Sequence, residues 1–505
     1  MKKVTKFLSI LFLSAVVTGC GEEVIPEEPK LEKTKLNYTY SDVCENYYRT
    51  SSAIPNQGEP NLLIIPIYFT DSNEYISNEK KSVVKEDIEK AFFGTKEDLG
   101  CDSVGSYYTT LSSGKCKLKG TVSDWIDVTY SSIEFSISES ATATFCNEVV
   151  NKYFETTNDS RSKYDLDGNG YLDGVVMVYG VPDYDNYRDG KSYSNFWAYT
   201  NWLDNKANKE APVACNFMWA SYDFMYSKAT ARQKLGNMYG SGDNAHSKLD
   251  THIYIHEMGH MFGLVDYYDY SYQFSPAGGF SMQDHNVGSH DPYSVMALGW
   301  CDPYIPTESC SITINPFQSS RDVIILSNKW NEIDSPFDEY LLIEYYTPDG
   351  LNEFDHTYPY MSHPSGPSES GIRLWHVDGR LLYNPHLKDP NKTTIDPKTT
   401  NGKVIHMMSN TYNGVNGKGY MSVLGNGFSN FNVLQLIRNE EVETYQPHNH
   451  FDKYSLFKNG SKFSMNTFAK QFVNNGKLNQ GKVLGWTFTV SIENNQATIN
   501  LTRTI

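Results

Sequence analysis

Past its first twenty residues this 505-residue chain has no apolar run approaching the roughly 20 residues that a membrane-spanning helix needs. Any hold on a membrane must therefore come from something other than a transmembrane segment. Basic charge is also scarce. Lys and Arg number 43 against 60 Asp and Glu, a formal charge of −17, and that sign argues against a nucleic-acid partner. No internal repeat and no heptad pattern is visible, so solenoids and coiled coils are excluded. Cysteine is sparse, and the spacing of the eight present matches no zinc ribbon. Seven follow Cys20, an odd number that leaves at least one unpaired in an exported protein; Cys101 with Cys116, or Cys301 with Cys310, are near enough to bridge locally. What the chain does have is aromatic bulk, with 37 Tyr and 25 Phe in a composition that is 39% hydrophobic. That describes a folded protein, and its length predicts two or three domains.

The N-terminus reads as an export signal. MKKVTK is basic, FLSILFLSAVV is apolar but too short to span a bilayer, and VTGC closes the segment at Cys20. This resembles the lipobox of bacterial lipoproteins. The resemblance implies a signal peptide over residues 1–19, lipid attachment at Cys20, and a protein held on the cell envelope outside the cytoplasm. The charged, proline-containing stretch after it reads as a tether over residues 20–37.

The chemistry concentrates in HEMGHMFGLVD, residues 256–266. Apolar positions at Ile253, Ile255, Met258, Met261 and Phe262 predict a helix over 251–264. Residues four apart share a helix face, so His256 and His260 can offer two nitrogens to one Zn²⁺. Glu257 stands beside them as the general base. Gly263 can end the helix in a left-handed conformation, which lets Asp266 return as a third ligand and leaves a fourth position open. Catalytic zinc requires that opening, and a fourth protein ligand would close it. His252, one turn upstream, is therefore read as lying outside the ligand set.

Downstream comes GGFSMQD, residues 278–284. HExxHxxGxxD followed by a GG-aromatic-x-M turn resembles the immune inhibitor A family of bacterial zinc metallopeptidases. Other segments keep the family's order: the strand-like run at 61–71, FFG at 92–94, SVGSYYTTLSSGKCKLKG at 103–120, the stretch 291–300 ending in LGW, EYLLIEYY at 339–346 and GIRLWHVDGRL at 371–381. The resemblance implies a zincin or metzincin-like catalytic domain, with Met282 as an apolar floor beneath the metal. Two departures stand out. Val265 occupies a position where the family usually has proline, and the chain before the first strand is too short for a large propeptide.

A second metal signal is YDLDGNGYLDGV, residues 164–175. Asp165, Asp167, Asn169 and Asp173 alternate as oxygen donors around a glycine, as in a loop that wraps Ca²⁺. Val176 stands where a full EF-hand needs glutamate, so the expectation is a partial calcium loop or a metal-free Asp/Gly turn. For stabilising the developing oxyanion, His285, His290 and Tyr293 are candidates and none is singled out. His376 and Asp378 come too late in the chain for the same site and read as structural hydrogen-bonding residues.

From about residue 305 the texture becomes short apolar or alternating runs between Gly, Asn, Pro and Ser. The last residues alternate on either side of Asn494 and Asn495, which predicts a hairpin. Residues 384–470 lack periodicity and read as long loops. The expectation is therefore an α+β protein: a catalytic domain over 38–304 with a mixed sheet and an active-site helix, then a β-rich, sandwich-like domain over 305–505. Its expected activity is zinc-dependent cleavage of internal peptide bonds in proteins or peptides by a lipid-anchored monomer, with calcium as a possible second ion. Two rivals are a catalytically silent surface-binding protein on the same fold and a metal hydrolase acting on something other than peptides.

Overall fold

The structure, a computed structural model, describes residues 31–47, 53–135, 139–183, 196–242, 248–270, 276–358, 360, 365–381, 407–411, 431–440 and 455–505. Cys20, the signal peptide and the first part of the expected tether lie outside these residues. The chain divides into two units, Met1–Glu32 and Lys33–Ile505, and the second carries every sheet and the site. Its class is α+β, as expected. Among the described residues no helix is long and apolar enough to cross a membrane.

A mixed sheet of six strands holds the first half together. Its path runs β2 (Lys119–Val122), β1 (Asn61–Tyr68), β4 (Gly174–Tyr179), β6 (Asn216–Ser221), β5 (Tyr199–Trp202), with β3 (Ile126–Asp127) also on β1. All pairings are parallel except β5 with β6. Near-continuous apolar runs such as LLIIPIY suit strands covered on both faces, and β1, β4 and β6 are buried almost throughout. Pro66 can lie inside β1 because of where its partners change. Residues 61–64 pair with β2 and 67–68 with β3, so the residue lacking an N–H falls in the gap between them.

Helices cover the sheet and position the centre. Ser103 caps the helix Val104–Leu111 by accepting from the Ser106 amide at 3.2 Å. Tyr108 of that helix donates to the Ile255 carbonyl at 2.7 Å, which fastens it to the helix His252–Met261.

Two antiparallel sheets build the second half. One orders β11 (Leu434–Ile437), β10 (Gly371–Asp378), β9 (Glu339–Tyr346) and β8 (Val323–Leu326); the other orders β12 (Lys462–Ser464), β13 (Trp486–Glu493), β14 (Gln496–Arg503) and β7 (Cys310–Ile314). The β8–β11 sheet is apolar on both faces. Ile324, Leu341, Ile343 and Leu374 pack into a core shared with Trp486, Phe488 and Ile499 of the other sheet. Val323, Leu342, Trp375 and Val377 point the opposite way, into the core that holds Met258, Met261 and Met282. Period-two alternation thus serves two cores at once.

Asn494 and Asn495 both take positive φ, 50° and 58°, the two-residue turn suited to the β13–β14 hairpin. The expected loops over 384–470 lie largely outside the described residues, but β11 and β12 are strands within that range. Neither local cysteine bridge is formed: Cys101 lies 3.2 Å from the Leu249 carbonyl and Cys116 lies 3.8 Å from that of Pro55. Residues 33–37, at the end of the expected tether, run against the body. Thr34 donates to the Pro303 carbonyl at 2.8 Å, and Lys33 pairs with Asp322 at 2.7 Å.

Candidate metal centre

The helix His252–Met261 begins where Asp250 accepts from the His252 amide at 3.0 Å. It ends because Gly263 adopts φ +98°, a left-handed conformation that costs a residue without Cβ little. The chain then doubles back, and the Leu264 amide bonds the Gly259 carbonyl at 3.0 Å. That reversal returns Asp266 to the face carrying the histidines.

The three side chains converge. Nε2 of His256 and Nε2 of His260 each lie 3.1 Å from Oδ1 of Asp266. Behind them, His256 Nδ1 is 2.7 Å from the Met282 carbonyl and His260 Nδ1 is 2.8 Å from the Leu264 carbonyl. A carbonyl only accepts, so each Nδ1 carries a hydrogen, which leaves Nε2 as the atom each ring can offer to a cation. Once both Nε2 atoms lose their protons, three acceptors face one another and repel unless a cation lies among them. Tetrahedral donors about 2.0–2.1 Å from zinc stand about 3.3 Å apart, close to the spacing found here. Among the described residues this is the only group of three or more His, Cys, Asp or Glu whose donor atoms converge in this way. Two imidazoles and a carboxylate suit zinc.

Electrostatically, the histidines and Asp266 offset one another. Burial alone would raise the Asp266 carboxyl, but His260 and His256 overcome it and hold the group well below the usual carboxylate range. Burial lowers His260, yet Asp266 more than reverses that and pushes it up to about 9. Glu257 is buried beside them, and burial, against the pull of His260 and His256, raises its carboxyl. Its side chain is steadied by the edge strand β5, where Thr200 Oγ1 lies 2.9 Å from the Glu257 carbonyl and 3.2 Å from Oε2.

No protein-family model and no curated protein matches this chain. The functional reading therefore rests on the residues themselves.

The turn through Gly278 and Gly279, both at positive φ, seats Met282 at 1% exposure in the core beside the helix. Its carbonyl, rather than its sulfur, makes the contact with His256. The next residue, Gln283, gives no signal in the sequence. Its Nε2 is 3.2 Å from His260 Nδ1, and its Oε1 is 3.1 Å from His290 Nε2. His290 continues to the Tyr107 hydroxyl at 2.8 Å. Burial, with His256 and His260 nearby, holds His290 far below its ordinary range, so it stays neutral inside this chain of contacts.

Tyr293 is fully buried with its hydroxyl 3.4 Å from that of Tyr40. His285 pairs with Asp284 at 2.7 Å and meets the Tyr268 ring edge to face. Sequence reading also missed Tyr270, whose hydroxyl donates to Asp266 Oδ2 at 2.5 Å. Four residues separate the pair along a non-helical turn, so no spacing rule signals it. His252 is buried against Tyr360, outside the ligand set.

At the candidate calcium loop, Asp165 accepts from the backbone amides of Asn169 and Gly170 at 3.0 and 3.1 Å, and Asp167 accepts from the Asn169 side-chain Nδ2 at 3.0 Å. Asp173 turns away to accept from the Leu166 and Asn61 amides at 2.9 and 2.8 Å, which pins the loop to the start of β1. Burial raises Asp173 to about 7. His376 meets Glu339 at 2.9 Å, and Asp378 holds Arg380 through two contacts of 2.7 and 2.8 Å, all buried and structural.

Proposed function

We propose that this chain is a zinc-dependent endopeptidase of the immune inhibitor A type, with a zincin-like catalytic part, anchored outside the cytoplasm by lipid on Cys20. The observation that carries the reading is the convergence of His256, His260 and Asp266 on one point, with both Nδ1 atoms already committed and Glu257 alongside. His256, His260 and Asp266 would hold the zinc, and zinc bound there supplies Lewis acidity toward water and a peptide carbonyl. Glu257 takes the proton from the attacking water and returns it to the leaving amine. Thr200 orients that carboxylate from the cleft edge. Tyr270 holds Asp266 so that one oxygen stays turned to the histidines.

The test is cleavage of denatured casein by the full chain in detergent, with and without a zinc chelator, beside Glu257→Gln, with metal measured in each sample. The expected result is chelator-sensitive cleavage that falls by several orders of magnitude in Glu257→Gln while its zinc content is unchanged. Undiminished cleavage in that variant would sink the mechanism. Absence of zinc from the wild-type protein would favour the silent binding protein instead.

A further inference from the structure

Where the connection from β8 to β9 meets the turn before β13, the β-rich half holds a cavity of about 280 Å³. At about 10–15 Å³ of such space per water, that is room for on the order of twenty waters, far more than a packing gap holds. Both walls are tied down. The 328–338 connection is braced from within, since Asn331 Nδ2 donates to the Ser335 carbonyl and to Asp338 Oδ2, each at 3.0 Å. Asn37 anchors it from outside, donating to the Ile333 and Asp334 carbonyls at 3.0 Å each. In the opposite wall Gly481 takes φ +79° in a turn closed between Leu478 and Lys482, and Glu339 Oε2 accepts from the Gln480 amide at 2.9 Å. Asn328 joins the two walls by donating to the Val483 carbonyl at 2.6 Å. The space is therefore pre-formed, which lowers the cost of filling it. None of its lining belongs to the helix His252–Met261 or to the turn through Met282.

The polar groups of the lining sort into spent and unspent. Asp338 accepts from the Glu339 amide at 2.8 Å and from Asn331, and Glu339 is engaged by His376 and by the amides of Asn479 and Gln480. Lys329 and Glu332, at the exposed rim, pair with each other at 3.7 Å. One donor and two acceptors remain. Lys482 brings an ammonium that pairs with no carboxylate among the described residues. Gln480 is 7% exposed, and its Oε1 has no hydrogen-bond partner. An acceptor buried in that way costs free energy until a donor reaches it. Asn328, with Nδ2 spent on Val483, keeps its Oδ1. Beside them Trp330 supplies carbon surface, because its indole N–H already donates to Asp334 Oδ1 at 3.0 Å and its ring is set against Tyr340 with centroids 5.8 Å apart.

A cationic guest would meet Lys482 and find no unspent carboxylate. An anionic guest would face two amide oxygens for a single donor. A hydroxyl both donates and accepts, so several hydroxyls on one uncharged ring satisfy all three groups while the C–H face of that ring rests on the indole. We propose that this cavity binds a neutral pyranose sugar, stacked on Trp330, with its hydroxyls shared among Gln480, Asn328 and Lys482. The chain then carries a second recognition site on the half that lacks His256 and His260. That site holds a sugar whether or not the first half cleaves peptides, so the inference stands apart from the peptidase reading.

The experiment is ligand-observed NMR on the full chain in a sugar-free detergent. The probes are neutral hexoses and N-acetylhexosamines, each as the free sugar and as its methyl glycoside, with glucuronate and the ammonium form of glucosamine as charged counterparts. At least one neutral sugar should bind saturably, more tightly than either charged counterpart, and equally well with a zinc chelator present. Trp330→Ala should weaken that binding by about tenfold or more, the usual loss when a central aromatic anchor is truncated. Lys482→Ala should weaken it in the same direction. Lys482 is half-buried in a turn, so its variant keeps the test alive if Trp330→Ala fails to fold. A glycoside bound better than its free sugar upholds the inference with the end of a glycan as guest; equal or weaker binding upholds it with the free sugar. The inference is overturned if no neutral sugar binds, if a charged counterpart binds as well, if the chelator abolishes binding, or if both variants bind as the wild type does.

Discussion

The phenol of Tyr270 donates to Oδ2 of Asp266 at 2.5 Å, while Oδ1 of the same carboxylate faces both histidines. A hydrogen bond to the distal oxygen fixes which oxygen is offered to a cation. Removing such a partner typically costs about 10–100-fold in metal affinity. Tyr270→Phe should therefore weaken zinc binding by that order in a competitive chelator titration. Tyr270 is 44% exposed, so thermal unfolding in excess zinc should be unchanged. Wild-type affinity in the variant would show that Asp266 is positioned by the turn alone.

Gly259 sits where a side chain has no room. A Cβ there would fall 2.1 Å from Gln283 Oε1 and 3.1 Å from His290 Nε2. Alanine gains about 1 kcal/mol of helix propensity over glycine, but overpacking a tight core costs typically about 1–3 kcal/mol. Gly259→Ala should thus melt earlier than the wild type, because Gln283 and His290 are displaced from their places against the helix. A variant that melts later would mean that Gln283 relocates freely.

Zinc bound to the folded chain alone stabilises it by mass action. Adding a chelator should lower the unfolding temperature of the wild type and of Glu257→Gln. It should leave His260→Ala unaffected, since that variant has already lost a ligand. Stoichiometric zinc in His260→Ala would overturn the ligand assignment.

Asp355 gives stability a pH dependence away from the cluster of His256, His260 and Asp266. Burial, partly offset by Arg373, raises its carboxyl to about 7. In the unfolded chain it ionises near ~3.9. Between those values the native state keeps a proton that the unfolded state has lost, so stability falls as pH rises through the window and levels off above it. Asp355→Asn removes this proton, and its urea midpoint should decline less than that of the wild type between pH 5 and 7.5. Parallel profiles would assign the slope to other buried acids, of which Asp173 is the first candidate.

Much of this architecture was legible because local pattern and final environment agree. The helix carrying His256 and His260, the strand β1 and the hairpin at Asn494 follow from periodicity and turn chemistry alone. The placement of Asp266 followed from a glycine at the only point where the chain can reverse. The partners that make the site precise were not legible. Thr200 reaches Glu257 from 57 positions away across a sheet edge, and Gln283 acts through contacts that exist only once the turn is packed. The Asp165 loop shows the opposite failure. Its spacing promised a common centre, but Asp173 bonds the amides of Leu166 and Asn61 instead. Strand β11 was hidden because four residues are too few to establish a period.

The sheet β8–β11 has no outside. Each of its faces is the wall of a different core, so a cut near residue 305 would bare one apolar surface on each fragment. Neither piece should be recoverable as a soluble protein, and the folded body should melt in one transition rather than two. For the lineage that carries this chain, the second half is thus not a cassette to be exchanged. A substitution on one side of β9 or β10 is judged at once by the half that holds His256 and His260 and by the terminal hairpin, so each half constrains the other.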